Sequence, residues 1–175
     1  MTFEYIAGFF DGEGCVITLG AHRHLVGLAQ RTPRVLHTIK AFLADHGIAA
    51  QIYESTDRRR AVHVQTYQLQ ITNMVSVERF LAAVVPHLIV KRNISARALK
   101  RTRERLTYWT QRNARYDKAI DYYKAGHSAQ ECGRDCGVNV NTLLARLKTR
   151  GVFRRGPQGS RRPSAQSRRM SVAEG

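Results

Sequence analysis

The N-terminal two thirds of the chain alternates between helical and strand-like spacing of its apolar residues. The first stripe, Phe3, Ile6, Ala7 and Phe10, has the three- and four-residue spacing of a helix, and Thr2 can cap its first turn. Runs rich in β-branched residues, typical of strands, follow in two pairs. Helical stripes separate and close these pairs. The pattern predicts an α+β unit with the order helix-strand-strand-helix-strand-strand-helix.

The predicted elements have defined positions along the sequence. The strands are expected at 15–19, 25–30, 48–54 and 61–72. The second helix should start at Pro33, with Thr32 as its cap, and end at Gly47. A third helix should start near Ser76 and close at Pro86.

The rest of the chain is basic and mostly helical in pattern. Residues 91–115 carry basic side chains against Glu104 alone, and such one-signed charge favours contact with phosphate. A separate helix ending at Gly126 is expected next, then two short helices at about 128–136 and 140–148 with a tight turn at Gly137. We predict three regions: residues 1–113, a helical unit at 114–153, and a basic disordered tail at 154–175.

The charge balance narrows the class of partner. The 175 residues contain 29 Lys and Arg against 13 Asp and Glu, a net charge of +16, which favours a polyanion such as nucleic acid. No apolar run approaches the roughly 18 residues of a membrane span, so no membrane partner is expected. Three cysteines and no apparent secretory signal predict a reducing compartment, either the cytoplasm of a bacterium or phage-infected host or an organelle.

The most specific string in the chain is Ile-Ala-Gly-Phe-Phe-Asp-Gly-Glu-Gly at residues 6–14. Gly8 and Gly12 lie four residues apart, so one side of this helix is bare backbone that permits close helix packing. Asp11 and Glu13 follow at the expected helix end, where Gly14 suits a left-handed stop. The string resembles the signature of the LAGLIDADG homing endonucleases. With the element order, the resemblance covers about residues 3–112 and implies a four-stranded antiparallel sheet that binds DNA.

The resemblance implies a metal-dependent enzyme that works as a pair of chains. Glu13 stands where the family binds metal, so Glu13 and the backbone carbonyl of Gly12 are the expected ligands of Mg²⁺. Asp11 is expected to orient the helix end. The sequence holds one such motif and so offers half a site, and single-motif members of the family act as homodimers. Such a dimer should cut both strands of a long, near-palindromic double-stranded DNA site.

Three further residues match the family locally. Gln30 and Arg34 resemble a polar pair that positions water around the metals, and Lys91 resembles a basic residue that lies close to the scissile phosphate. Each has an open alternative: Gln30 could contact a base, and Arg34 or Lys91 could hold DNA phosphates elsewhere.

Two groups of residues are predicted to contact DNA. In the sheet, strand alternation turns polar side chains outward, and arginines occupy the tip of the second hairpin. In the C-terminal unit, residues 128–147 resemble a helix-turn-helix whose last helix would read bases. A solvated sheet face and a plain three-helix module are the alternatives. The predicted contacts are Gln51, Tyr53, Ser55, Arg58, Arg59, Arg60, Thr66, Gln68, Gln70, Asn139, Asn141, Thr142 and Arg146.

Cys132, Cys136 and His127 offer three zinc ligands without an evident fourth, so we predict that the cysteines are core residues. Two functional alternatives to the endonuclease remain. Some sporulation regulators join a LAGLIDADG-like domain to a helix-turn-helix and do not cleave, and an intron maturase would bind RNA on the same scaffold. Mobility of an intron, intein or free-standing gene is the expected setting of the enzyme.

Overall fold

The computed structural model describes residues 1–20, 23–57 and 64–153. The chain forms two compact units, with the boundary between Arg112 and Asn113. The predicted phosphate contacts Arg58, Arg59 and Arg60 and the predicted tail at 154–175 lie outside the described residues.

The first unit has the predicted order of helices and strands. The elements are α1 Phe3–Glu13, β1 Gly14–Leu19, β2 Arg23–Gln30, α2 Pro33–Asp45, β3 Gln51–Asp57, β4 Val64–Ile71, α3 Met74–Val84 and α4 Arg92–Lys124. The sheet has the strand order β1-β2-β4-β3 and is antiparallel throughout, as the resemblance implied. A short 3₁₀ turn at Val85–His87 carries Pro86 between α3 and α4.

One face of the sheet packs against the helices and forms the core of this unit. The predicted stripe of α1 is buried through Ile6, Ala7 and Phe10, which join Val26 and Leu69 of the central strands in one apolar cluster. Such burial is the main favourable contribution to folding. The residues of this core cluster lie on one face of the sheet only, and the opposite face points away from it.

The third strand begins later than predicted. Ile48 and Ala50 are buried, as expected, but both precede β3. The N–H of Ile48 donates to the carbonyl of Leu43, and the N–H of Ala49 donates to the hydroxyl of Ser76. Because these groups bond to the end of α2 and to α3, they are not available to a strand partner.

The starts of α2 and α3 compare differently with the prediction. Helix α2 starts at Pro33 with Thr32 at the N-cap, as predicted, although the Thr32 side chain makes no capping hydrogen bond. Asn73 caps α3 by accepting from the N–H groups of Val75 and Ser76, so that helix begins two residues earlier than expected.

The predicted break between the basic helix and the next one is also wrong. Helix α4 runs without interruption for 33 residues, Arg92–Lys124. It contains neither glycine nor proline, so nothing in its sequence stops it before Gly126, whose φ is +117°. No helix in the described part of the chain is long and apolar enough to cross a membrane.

The second unit contains the predicted short helices, α5 Ala129–Asp135 and α6 Val140–Thr149. Ser128 and Glu131 form a complete capping box at the start of α5. Gly137 makes the predicted turn with a φ of +60°. Cys132 is fully buried in the core of this unit, with Cys136 packed beside it, as predicted for core cysteines.

Gly14 is required for a reason other than the predicted one. Its φ is −88° and its ψ is 162°, so it is extended rather than left-handed. A Cβ at this position would lie 2.1 Å from the buried ring of Phe10. The glycine therefore lets α1 pass directly into β1 over that ring.

We expect Gly14→Ala to lower the free energy of unfolding by about 1–3 kcal/mol, because the buried ring must shift to admit the methyl group. Urea denaturation measures the change. Gly20→Ala is not a fair comparison, because Gly20 has a positive φ. The unaltered protein is therefore the reference, and a Gly14→Ala protein that is as stable as the unaltered protein would contradict the close contact.

Candidate active site

The Asp11 carboxylate ties the end of α1 to a distant loop. It accepts hydrogen bonds from the backbone N–H groups of Ile89, Val90 and Lys91, at 2.7, 3.2 and 2.8 Å. These donors lie just before α4, about 80 positions along the chain. Asp11 therefore fixes where the loop meets the motif helix.

This environment favours the charged form of Asp11. Desolvation by itself would raise the pKa of the carboxyl, but the three N–H donors and the Lys91 ammonium together lower the pKa below its usual value. Asp11 is thus an anion whose acceptor positions are largely taken up by the protein's own backbone.

Lys91 completes the junction from the other side. Its ammonium donates to the carbonyl oxygens of Phe10 at 2.9 Å, of Asp11, and of Gly12 at 3.4 Å. These carbonyls belong to the last turn of α1, where the helix dipole favours a cation. The lysine that the sequence placed near a phosphate therefore caps the motif helix.

Glu13 differs from Asp11 in that it is exposed, at the last position of α1. It makes no hydrogen bond or ion pair with the described residues. Its carboxylate and the nearby carbonyl of Gly12 are oxygen donors of the type that Mg²⁺ prefers. No group of three or more acidic, histidine or cysteine side chains suited to one metal occurs in the described ranges.

Gln30 and Arg34 lie in different places relative to Glu13. Leu28 pairs with Gly14, so Gln30 extends two residues beyond the point where α1 passes into β1. Arg34 is exposed on the first turn of α2 and lines a pocket with Met1 and Tyr5, at the N-terminal end of α1. The structure thus groups Gln30 with the Glu13 end of the helix and Arg34 with the opposite end.

The predicted DNA contacts of the sheet do come together. Gln51 pairs with Gln70, Tyr53 with Gln68, and Ser55 with Thr66, so the six residues form three cross-strand pairs. Gln51 and Tyr53 are exposed. The Gln70 side-chain amide donates to the Gln68 side-chain oxygen at 3.1 Å. Gln30 is on the core side of β2 by alternation, which separates it from this polar face.

Several of the predicted contacts in the C-terminal unit have internal partners. The Asn139 side chain accepts from the N–H of Thr142 and caps α6. Arg146 donates to Asn113 at 2.9 Å and stacks over the ring of Tyr116. Asn141 is exposed at the start of α6. Of the four residues, Asn141 is the one most available to a ligand.

Sequence reasoning missed the surface beside the motif helix. Ile89 and Val90 have exposed fractions of 87% and 77%, although their backbone is held by Asp11. The sequence does carry a signal for this surface. Ile89 and Val90 are two large apolar residues directly before a strongly basic segment. They do not belong to any apolar stripe with helical spacing, so the sequence gives them no place in the core.

Residues 1–84 match the family model described as a LAGLIDADG-like domain. This part of the chain is therefore similar to a LAGLIDADG-like domain. The match spans α1, the sheet, α2 and α3, including Glu13, Gln30 and Arg34. Lys91, α4 and the C-terminal helices lie beyond the matched residues. No curated protein matches the chain.

Solved structures of the homing endonuclease I-CvuI are also similar to this chain. One is a complex with its target (Sro1.3) in the presence of 2 mM Ca, with 16% identity, a TM-score of 0.45, and coverage of 87% of this chain and 96% of that one. The other is a complex with the I-CreI target (C1221) in 2 mM Mg, described as showing DNA not cleaved, with 15% identity, a TM-score of 0.42 and the same coverage. Both TM-scores are below 0.5, so the likeness to a LAGLIDADG-like domain rests on the match of residues 1–84 alone.

We expect Asp11→Asn to lower the free energy of unfolding at pH 7 by about 1 kcal/mol, because hydrogen bonds to a charged acceptor are replaced by weaker ones. The folded-state pKa of Asp11 is depressed, so its contribution is present above the unfolded-state pKa of about 3.9 and is lost as pH falls through the folded-state value. The difference between the variant and the unaltered protein should therefore shrink as the pH is lowered from about 5.

Urea denaturation at a series of pH values measures this difference. Asp45→Asn, an exposed position at the end of α2, is the matched control and should change stability little at any pH. A difference for Asp11→Asn that stays constant down to pH 3 would mean that the charge of Asp11 does not stabilise the junction.

Proposed function

We propose that this protein is a homing-type endonuclease that cuts both strands of DNA, depends on a divalent metal such as Mg²⁺, and acts as a homodimer. One observation carries the proposal. The LAGLIDADG-like domain ends its motif helix with two acids, of which Asp11 is committed to the backbone and Glu13 is exposed and unpaired among the described residues.

The residues at this helix end fit a divalent metal. Glu13 would hold it through the carboxylate, with the Gly12 carbonyl as a second oxygen donor. The metal, when bound, supplies an activated water and stabilises the charge of the leaving oxygen. Lys91 donates to the carbonyls of Phe10 and Asp11 and so holds the last turn of α1 in place for this arrangement. Gln30, at the neighbouring strand end, would position water.

A second copy of the chain would supply the other half of the site. A Cβ added at Gly8 or Gly12 meets no atom within 4 Å, so this side of α1 is bare and open. Tyr5, on the same helix, is 53% exposed. The apolar Ile89 and Val90 lie beside the C-terminal end of α1. Packing two motif helices along a two-fold axis would cover these groups and bring two Glu13 side chains together.

Charge and the sheet support DNA as the substrate. The net charge of +16 suits a phosphate backbone, and the Gln51, Tyr53, Gln68 and Gln70 face offers hydrogen-bonding groups for base edges. We propose that the C-terminal unit acts as a helix-turn-helix that lengthens the site, with Asn141 as its free contact at the start of α6. Mobility of an intron, an intein or a free-standing gene is the setting that follows.

We expect Glu13→Gln to abolish metal-dependent cleavage while leaving folding and DNA binding intact, because the amide keeps the shape of the side chain but loses its charge. A library of candidate sites, including the DNA that flanks the gene, is incubated with the protein and Mg²⁺, and double-strand ends are sequenced. Glu104→Gln, an exposed acid on α4, is the matched control and should cut normally.

The remaining outcomes separate the rival functions. Specific DNA binding without cutting by the unaltered protein in Mg²⁺ or Mn²⁺ would contradict the proposal and favour a regulator. Specific binding of intron RNA with stimulation of splicing would favour a maturase. Cleavage that persists in Glu13→Gln would place the metal ligand elsewhere.

We expect Gly8→Leu to yield a folded monomer that does not cleave, since the added side chain enters open space in one chain but blocks the approach of a second helix. Sedimentation equilibrium measures the association. Ala41→Leu places the same side chain at an exposed helical position of α2 and should leave the dimer unchanged. A Gly8→Leu protein that remains dimeric would rule out this interface.

A further inference from the structure

The outward face of the sheet has two chemically different halves. On β3 and β4 it carries the polar residues described above. On β1 and β2 the outward positions are instead apolar, apart from Arg23 at the end of β2. They are Cys15, Ile17, Leu19, Leu25, Gly27 and Ala29.

Strand register shows that these residues belong to one patch outside the core. Cys15 pairs with Gly27, and Ile17 pairs with Leu25. Their neighbours in sequence, Val16 and Val26, pack in the core cluster, so alternation turns the apolar patch to the opposite face.

The β1 side of the apolar patch is accessible. Ile17 and Leu19 have exposed fractions of 44% and 41%, and Cys15 is also exposed, whereas Leu25 and Gly27 of β2 are buried. Because β1 is an edge strand, no further strand of the described sheet covers this side. Burying such side chains against an apolar group of a ligand would be favourable.

The apolar patch is continuous with the polar half of the face. One row crosses all four strands as Cys15, Gly27, Gln70 and Gln51. A second row runs from Ala29 through Gln68 to Tyr53. A ligand that contacts the glutamines in these rows therefore has the apolar patch directly beside it.

We propose that the β1–β2 patch reads the C5-methyl groups of thymine in the major groove, while the β3–β4 half reads base edges by hydrogen bonds. This rests on the proposed function, since it requires DNA on the sheet. The thymine methyl is the one apolar group among the major-groove base edges of unmodified DNA, and small or aliphatic side chains recognise it by contact. Arg23 is exposed and pairs with Leu19, and the chain as a whole is strongly positive. Both observations favour DNA over a purely apolar ligand on this patch.

The proposal predicts a run of A·T pairs in the target at the positions that face Ile17 and Leu19. The test uses full-length Glu13→Gln protein in Mg²⁺, so that DNA is bound without being cut. Binding sites are selected from two random duplex libraries, one made with thymidine and one with deoxyuridine, which lacks only the methyl group. Affinity for the selected site should fall by about fourfold for each contacted methyl removed, the effect of one CH₂ group.

Two variants separate the halves of the face. Ile17→Ser with Leu19→Ser should bind thymidine and deoxyuridine sites equally while keeping the other base preferences. Gln70→Ala should lose preference at other positions and retain the discrimination against deoxyuridine. Thermal melting confirms that both remain folded, as expected for partly exposed positions.

The outcomes distinguish the reading of thymine methyl groups from the proposed endonuclease function. Specific sites of equal affinity in both libraries would overturn methyl reading and leave the endonuclease intact. No enriched site in either library would overturn DNA recognition by the sheet, and with it both proposals. Loss of the dimer in the Ile17→Ser, Leu19→Ser protein would show that the patch contacts a second copy of this chain, which also contradicts methyl reading.

Discussion

The junction between α1 and the loop before α4 fixes the candidate site. Asp11 accepts three backbone hydrogen bonds from residues 89–91, and Lys91 donates in return to the last carbonyls of α1. The carboxylate and the ammonium thus satisfy groups that a helix end and a loop would otherwise leave to water. Because the exchange is reciprocal, neither the motif helix nor the loop can shift without breaking the other's contacts, and Glu13 is held at a defined end.

Two acids separated by one residue acquire different surroundings through helix geometry. Residues two apart on a helix do not face each other. Asp11 therefore meets the loop while Glu13 meets solvent. The same argument explains the glycines: Gly8 and Gly12 leave open space on one side of α1, whereas Gly14 avoids the ring of Phe10. A single nine-residue string thus combines a bare helix face, a structural acid and an acid that is exposed to solvent.

The sheet is organised by strand alternation and register. Alternation gives each strand one face toward the core and one face away from it, and the antiparallel register sets which outward residues are neighbours. The polar pairs of β3 and β4 and the apolar residues of β1 and β2 are adjacent only because β2 pairs with β4. That pairing is non-consecutive, so the mixed character of the face is a property of the topology.

Much of this was determined by the sequence alone, because it depends on local spacing. Apolar periodicity gave the order of helices and strands, alternation gave the outward residues of β3 and β4, and the motif at 6–14 located the acids. The tertiary structure decided what local spacing cannot encode. It brought Lys91 onto the carbonyls of α1, gave Gly14 a steric rather than a conformational role, moved the start of β3, and placed Arg146 on Tyr116. Each of these depends on groups far apart in the chain or on the space between packed side chains, which only the folded arrangement sets.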